Sequence, residues 1–302
     1  MRQHTIRKPV SLEGVGLHCG KTVRVTLAPA PSDTGIVFRA GEDGDPIPAT
    51  PDSVVDSHYA TTIGRNGVRV QTIEHLMAAA AGLGIDNLDV RVDGIELPAA
   101  DGSAKPFVQV LLAAGRTPQA ARQRPLRIPH PIGAGGGGRW IQIVPADTFQ
   151  ISYTLDNDHP AIGTQVLSWT PTEDSFVADY APARTYGFLK DLGFLRKSGR
   201  ALGGSLDNTI VIGKSATLNG LRYPDEFVRH KILDLIGDLA LLGRRLTGHV
   251  IARNAGHALN FDLVVAIQHA LGLERRAAIR TVPVVAAEPA ETLVPAPGLA
   301  IS

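Results

Sequence analysis

A histidine and an aspartate one helical turn apart can aim a nitrogen and an oxygen at one cation, and residues 225–243 hold such a pair, His230 and Asp234. At about 100° per residue, His230, Lys231, Asp234 and Asp238 project from one narrow face of that stretch. Its other faces are Phe, Val, Ile, Leu and Ala. A helix that is apolar nearly all round is buried, and charges within it must be paired or bound to metal to offset their desolvation. Imidazole and carboxylate with a vacancy beside them suit zinc or another borderline divalent ion. An isolated pair of this kind is more often a hydrogen bond that only stabilises a core. A metal reading therefore needs a third ligand.

A second apolar helix, expected from Thr72 to Ala81 and closed by Gly82, supplies a candidate. Glu74 and His75 lie in its first turn. The positive helix terminus there disfavours imidazolium, keeping His75 neutral and able to bind metal, and favours an ionised Glu74. The bland alternative is helix-end electrostatics with no ligand. Three protein ligands, His75, His230 and Asp234, leave a fourth tetrahedral position for water, which is the catalytic rather than the structural arrangement of zinc. Zinc would lower the pKa of that water toward about 7 and polarise a carbonyl, so hydrolysis is the natural reaction. Glu74, next to a ligand but not needed as one, is placed as general base. His257, on the Gly-bearing turn Ala255-Gly256-His257-Ala258, is a candidate for a protonated partner opposite that base, although a lone histidine there is more often a surface or capping residue.

These residues need elements to bring them together. At 302 residues and 44% hydrophobic, the chain predicts two packed domains. Residues 4–40 alternate, with Val23, Val25 and Leu27 on one face, a turn at Pro29 to Asp33, and Ile36 to Phe38 resuming, which predicts a hairpin. Gly14 to Gly20 is expected as a tight turn. Short strands are expected within 53–63, 68–70 and 87–92, and a second helix from Ser103 to Ala114. The polar, proline-interrupted stretch 116–127 has the composition of a linker. After it the pattern restarts: Trp140 to Asp147 and Phe149 to Tyr153 again give strand, proline turn, strand. The His230 helix is followed by a strand at 248–252 and a helix at 258–271, as the His75 helix is followed by its own strand and helix. One unit used twice would set His75 and His230 in corresponding helices, and halves placed face to face would join them. The expected layout is a first α+β domain over 1–115, a linker over 116–127, a second α+β domain over 128–285 and an irregular tail over 286–302. Two segments lie outside the repeat: a glycine-rich hairpin tip, Gly133 to Gly138, and an apolar insertion with Leu189, Leu192 and Leu195 at helical spacing. That insertion reads equally as core packing or as a ligand-lining wall.

Thirty Lys and Arg against 29 Asp and Glu point to no nucleic-acid surface and no polybasic membrane patch. A single cysteine, Cys19, excludes an intramolecular disulfide and cysteine-rich zinc modules, and fits a reducing compartment. The first residues lack the apolar core of a signal peptide and no run reaches membrane-span length, so a cytoplasmic, soluble protein is expected.

Taken in order, Gly14-Val15-Gly16-Leu17-His18, Thr72-Ile73-Glu74-His75-Leu76, Asp101-Gly102-Ser103-Ala104, Ala183-Arg184-Thr185-Tyr186-Gly187-Phe188, Leu202-Gly203-Gly204-Ser205, Phe227-Val228-Arg229-His230-Lys231-Ile232-Leu233-Asp234 and Gly256-His257-Ala258-Leu259-Asn260 resemble the UDP-3-O-acyl-N-acetylglucosamine deacetylases. The resemblance runs from about residue 3 to the C-terminus. It implies a zinc amidase of the lipid A pathway in Gram-negative bacteria, releasing acetate from a UDP-linked, 3-O-acylated glucosamine. It further implies an α+β fold of two similar domains, each a β-sheet with two helices packed as a sandwich, with the helices facing each other across the site. On this resemblance one Zn2+ is held by His75, His230 and Asp234, Glu74 is the base, and His257 is its cationic partner, oriented by Asp238. Thr185 becomes an oxyanion donor, Lys231 meets the nucleotide side of the substrate, and Tyr186 and Gly204 join the substrate site. Leu189, Leu192 and Leu195 become the passage for the 3-O-acyl chain. The implied aromatic residue before His159-Pro160 is replaced here by Asn157 or Asp158, and Cys19 stands where a small polar residue is expected. No nucleic-acid partner and no transmembrane segment are implied, and a monomer is expected. The rival readings are a metal-dependent amidohydrolase for a different acylated nucleotide sugar, and a non-catalytic two-domain binding protein with a structural His-Asp helix.

Overall fold

The structure, a computed structural model, describes residues 1–41 and 44–273. The expected tail over 286–302 and the end of the expected second domain lie outside the described residues. Within them the chain is α+β, with six α-helices: α1 (Glu74–Gly82), α2 (Lys105–Ala114), α3 (Glu173–Ser175), α4 (Leu192–Lys197), α5 (Glu226–Leu239) and α6 (His257–Ala270). None is long and apolar enough to cross a membrane.

One sheet carries the strands Val10–Val15, Thr22–Pro29, Leu88–Val92, Ile36–Ala40 and Ile47–Pro48 in that spatial order. A second carries Ile132–Gly136, Arg139–Val144, Leu246–Arg253, Phe149–Asn157 and Gly163–Trp169, with Leu126–Arg127 added alongside Leu246–Arg253. The two sheets share both order and sense. In each, the central strand runs antiparallel to one neighbour and parallel to the other. Alternating burial along Thr22–Pro29 and Leu246–Arg253 turns one face of each sheet into the core. The helices cover those faces: α2 packs on Val10–Val15, and α6 packs on Ile132–Gly136. The buried apolar side chains of both halves join in one core.

The expected hairpin between 23–27 and 36–38 does not form. Leu88–Val92 lies between those strands and pairs with both. Period-two alternation says which face a strand buries, not which strand lies beside it. The expected linker is also corrected over its first residues, because Arg116–Arg122 is a strand antiparallel to Arg2–Ile6. This ribbon has only two strands, so Pro118 costs no interior ladder bond. Pairing here rests on the backbone and on polar contacts, such as Asn87 Nδ2 donating to Gln119 Oε1 at 2.7 Å, which leave no apolar pattern to recognise. In the glycine run, Gly133 to Gly136 belong to a strand and only Gly137 and Gly138 turn.

The site is organised by the contact of α1 with α5. Gly237 makes that contact close: a Cβ there would stand 2.1 Å from the Glu74 carbonyl oxygen. Ala78, Ala79 and Ala80 are buried on the α1 side. Small residues let the backbones approach, and approaching backbones bring the N-terminal side chains of α1 against the C-terminal half of α5.

Candidate metal centre and apolar groove

His75 projects from the first turn of α1, while His230 and Asp234 project from α5; one ligand atom from each lies within 4.8 Å of the others. His230 Nε2 is 3.3 Å and His75 Nε2 is 3.6 Å from Asp234 Oδ1, and all three residues are buried. The two imidazoles meet edge to face, with centroids 5.2 Å apart. The Ala183 carbonyl can only accept, so at 3.0 Å it holds the proton on His230 Nδ1 and leaves the Nε2 lone pair facing inward. Burial pushes the His230 pKa down to about 3 against the opposing pull of Asp234, so the ring is neutral. Burial alone would raise Asp234, yet the cationic Lys231 and His257 hold it well below the usual carboxylate range. Asp234 Oδ2 accepts from Lys231 Nζ at 2.8 Å, whereas Oδ1 is buried with no hydrogen-bond partner. An orphaned carboxylate oxygen between two imidazole nitrogens is costly in a dry core and well suited to a cation. The residues therefore fit the metal ion that their spacing predicted.

The Ala183 carbonyl is itself held in place. Arg184 donates from its backbone and from Nε to the buried Glu226 at 3.0 and 2.9 Å, which fixes the start of the insertion to the N-terminal turn of α5.

Glu74 sits beside the ligand cluster. Its Oε2 accepts from the Thr61 backbone N–H at 3.0 Å, and its Oε1 lies 3.9 Å from His257 Nε2. Burial pushes the Glu74 pKa up, partly countered by His257 and His75. His257 opens α6, with Nδ1 donating to Asp238 Oδ2 at 2.8 Å and Nε2 3.8 Å from Asp234 Oδ2. Burial opposes a charge on this ring, but Asp238 and Asp234 outweigh it, and the pKa is pushed up to about 10. Asp238 also accepts from Asn260 Nδ2 at 2.8 Å and from the Thr61 hydroxyl at 2.5 Å.

Thr61 and Asn260 were not anticipated. Asn260 follows His257 by one helical turn and carried that much signal. Thr61 is separated from Asp238 by 177 residues and carried none. Glu96 was missed as well. It is 1% exposed and accepts from the backbones of His18 and Cys19 at 2.8 and 2.7 Å and from the Thr72 hydroxyl at 3.0 Å. It thereby ties the glycine turn to the entry of α1. Burial and hydrogen bonding to Glu96 push the Cys19 thiol up to about 11, so it is unreactive as a thiolate.

Beside the centre, an open groove of about 880 Å³ is walled by Thr185, Tyr186, Leu189, Leu192, Leu195 and Gly204, with Leu17 and His18 contributed from the other half. Every substrate-site residue expected from the sequence except Lys231 thus lines one surface. Leu189 lies in a single 3-10 turn, Leu189–Asp191, and Leu192 and Leu195 lie on α4, in agreement with the helical spacing. Lys231 instead pairs with Asp234 and stands 5.5 Å from the centroid of the Tyr186 ring.

Two histidines and a carboxylate around one point, a buried carboxylate and a cationic histidine beside them, and an adjoining groove make up the side-chain set of a metal-dependent hydrolase. Comparison with known proteins narrows the class. Residues 3–269 match the model of the family LpxC, UDP-3-O-acyl N-acetylglycosamine deacetylase, and the chain belongs to that family. It is 49% identical over 264 residues to the UDP-3-O-acyl-N-acetylglucosamine deacetylase of Oleidesulfovibrio alaskensis, covering 86% of this chain and 87% of that one. It is 49% identical over 266 residues to the protein of that name from Myxococcus xanthus, covering 87% and 85%. With the Acidithiobacillus ferrooxidans protein of that name the identity is 48% over 273 residues, covering 88% and 90%.

Proposed function

We propose that this chain hydrolyses the N-acetyl group of UDP-3-O-(3-hydroxyacyl)-N-acetylglucosamine and releases acetate, as a cytoplasmic enzyme of lipid A biosynthesis. The observation that carries the reading is the partnerless, buried Asp234 Oδ1 between the His75 and His230 nitrogens, with Glu74 and an apolar groove alongside. His75, His230 and Asp234 would hold one divalent ion, zinc in this reading, which supplies Lewis-acid activation of water and of the amide carbonyl. Glu74 takes a proton from the attacking water, for which it must be ionised. Asp238 keeps His257 protonated, and the imidazolium balances negative charge on the carbonyl oxygen and then gives its proton to the departing amine. Thr185 donates its hydroxyl to the same oxygen. As water adds and the C–N bond breaks, the acetyl carbon leaves as acetate and the sugar keeps a free amine. Lys231 steadies Asp234 and offers its remaining N–H donors toward the nucleotide side. Tyr186, Leu189, Leu192, Leu195 and Gly204 hold the acyl chain, where each buried methylene contributes up to about 0.8 kcal/mol.

The same reading takes the chain as two similar sandwich domains, each a sheet with two helices, meeting through α1 and α5, and as a monomer. The deciding experiment incubates purified protein with the UDP-linked substrate and assays acetate with and without a chelator. Acetate release abolished by chelation supports the proposal. Absence of release from metal-replete protein overturns it.

A further inference from the structure

The nearly balanced total charge conceals a local excess. Residues 186–222 carry six basic side chains, Lys190, Arg196, Lys197, Arg200, Lys214 and Arg222, against two acidic ones, Asp191 and Asp207. Arg200 is paired with Asp56, and Arg222 with Asp101. The other four cations form no ion pair among the described residues. The same segment displays Leu189 at 38%, Phe194 at 69%, Leu206 at 39%, Leu218 at 46% and Leu221 at 36% exposure. Leu189, Leu206 and Leu218 also line the groove, so they form its rim. On α4, Leu192 and Leu195 turn into the groove while Phe194 and Lys197 lie on the opposite, solvent side of the helix. Phe194 does not itself line the groove and is the most exposed large apolar side chain of the segment.

Exposed leucine and phenylalanine ringed by unpaired lysine and arginine is the composition of a surface that enters the headgroup layer of an anionic bilayer. We propose that α4 and the groove rim dock this protein on anionic phospholipid membranes, with Phe194 in the interface and Lys190, Arg196, Lys197 and Lys214 on the headgroups. Charge complementarity selects this occupant. A second copy related by two-fold symmetry would set the same cations against each other. The groove then opens at the lipid surface, and an acyl chain can pass between bilayer and protein without crossing water. This last consequence rests on the acylated-sugar reading above; the docking itself does not.

The test mixes the intact purified protein with vesicles of phosphatidylcholine, with or without phosphatidylglycerol, and measures cosedimentation. Binding is expected to the anionic vesicles only, and to fall as salt is raised. The double variant Arg196→Glu/Lys197→Glu and the single variant Phe194→Ser should each lower that partitioning, the double variant by at least about ten-fold. Both should keep the wild-type melting temperature and acetate release from a soluble short-chain substrate. No binding to anionic vesicles, equal binding to neutral ones, or unchanged binding by the folded variants overturns the proposal. So does light scattering that shows a dimer abolished by these substitutions. Vesicle binding requires no turnover, so an inactive protein that still binds separates this inference from the catalytic one.

Discussion

The two halves of the molecule use one scaffold for unequal work. Each has a five-strand order with a mixed central strand, and a helix, α2 or α6, packed on the first strand of that order. In the first half, α1 brings only Glu74 and His75 to the site, both from its first turn, and α2 brings nothing. In the second half, α5 brings His230, Lys231, Asp234 and Asp238 along three turns, and α6 brings His257 and Asn260. The difference follows from where α1 and α5 touch. Gly237, in the last turn of α5, admits the backbone of Glu74, so the start of α1 lies against the C-terminal half of α5. A helix start offers two adjacent side chains to a point, whereas a helix lying lengthwise along the site offers every position on one face. The repeat sets up the contact, and its asymmetric crossing determines how the reactive groups are divided.

The division of labour can be broken at Asp234, one of the two proposed metal ligands of the second half. Asp234→Ala should empty the metal site by elemental analysis and lower turnover by roughly 10⁴-fold or more, since water must then react without Lewis-acid activation. Metal content and turnover close to wild type would remove Asp234 from the centre.

The two groups to which the proposal assigns proton transfer, Glu74 and His257, come from opposite halves. Glu74→Gln and His257→Ala should each keep the metal and lower turnover by about 10²–10⁴-fold. Wild-type activity should follow a bell-shaped pH profile. The acidic limb comes from protonation of Glu74, whose pKa burial pushes up. The basic limb comes from loss of the His257 proton, at or below about pH 10, because a bound dication favours the neutral ring. A basic limb that persists unchanged in His257→Ala would assign it to another group.

Asp238 holds His257 within its own half and also accepts the Thr61 hydroxyl from the other. Asp238→Asn should cost about 10–100-fold in turnover and return the His257 titration, followed by NMR in metal-free protein, from about 10 toward the ordinary imidazole value. The folded-state pKa of His257 is raised, so its stabilising contribution is complete below about pH 6.5 and is lost as pH rises toward about 10. Melting of metal-free wild type should therefore fall across that window, and Asp238→Asn should flatten the fall.

The crossing itself is tested by Gly237→Ala. Its new Cβ meets backbone rather than a movable side chain, so overpacking should cost about 1–3 kcal/mol in denaturant unfolding, and turnover should fall as Glu74 shifts. Full stability would show that the helices can separate without penalty. The smallest effect belongs to the insertion that only the second half carries. Leu192→Phe should penalise long acyl chains more than short ones in kcat/KM and leave the melting temperature nearly unchanged. Lost stability with an unaltered chain-length preference would make Leu192 ordinary core.

The sequence by itself determined the chemistry carried on single elements. His230, Lys231, Asp234 and Asp238 were legible together because a helix converts spacing into direction, and Glu74 and His75 because a first turn is marked by what surrounds it. Leu189, Leu192 and Leu195 were legible as one face for the same reason. Only the tertiary structure decided what those faces meet. It placed Leu88–Val92 between two strands that alternation alone would pair, and drew Arg116–Arg122 onto the N-terminal strand. It also put the Thr61 hydroxyl on Asp238 and its backbone N–H on Glu74, set Glu96 under the glycine turn, and left Asp234 Oδ1 without a partner. Each of these contacts joins residues far apart in the chain through one hydrogen bond or one shared edge. Such a contact leaves no periodicity behind, because its geometry comes from packing two bodies rather than from the repeat of one.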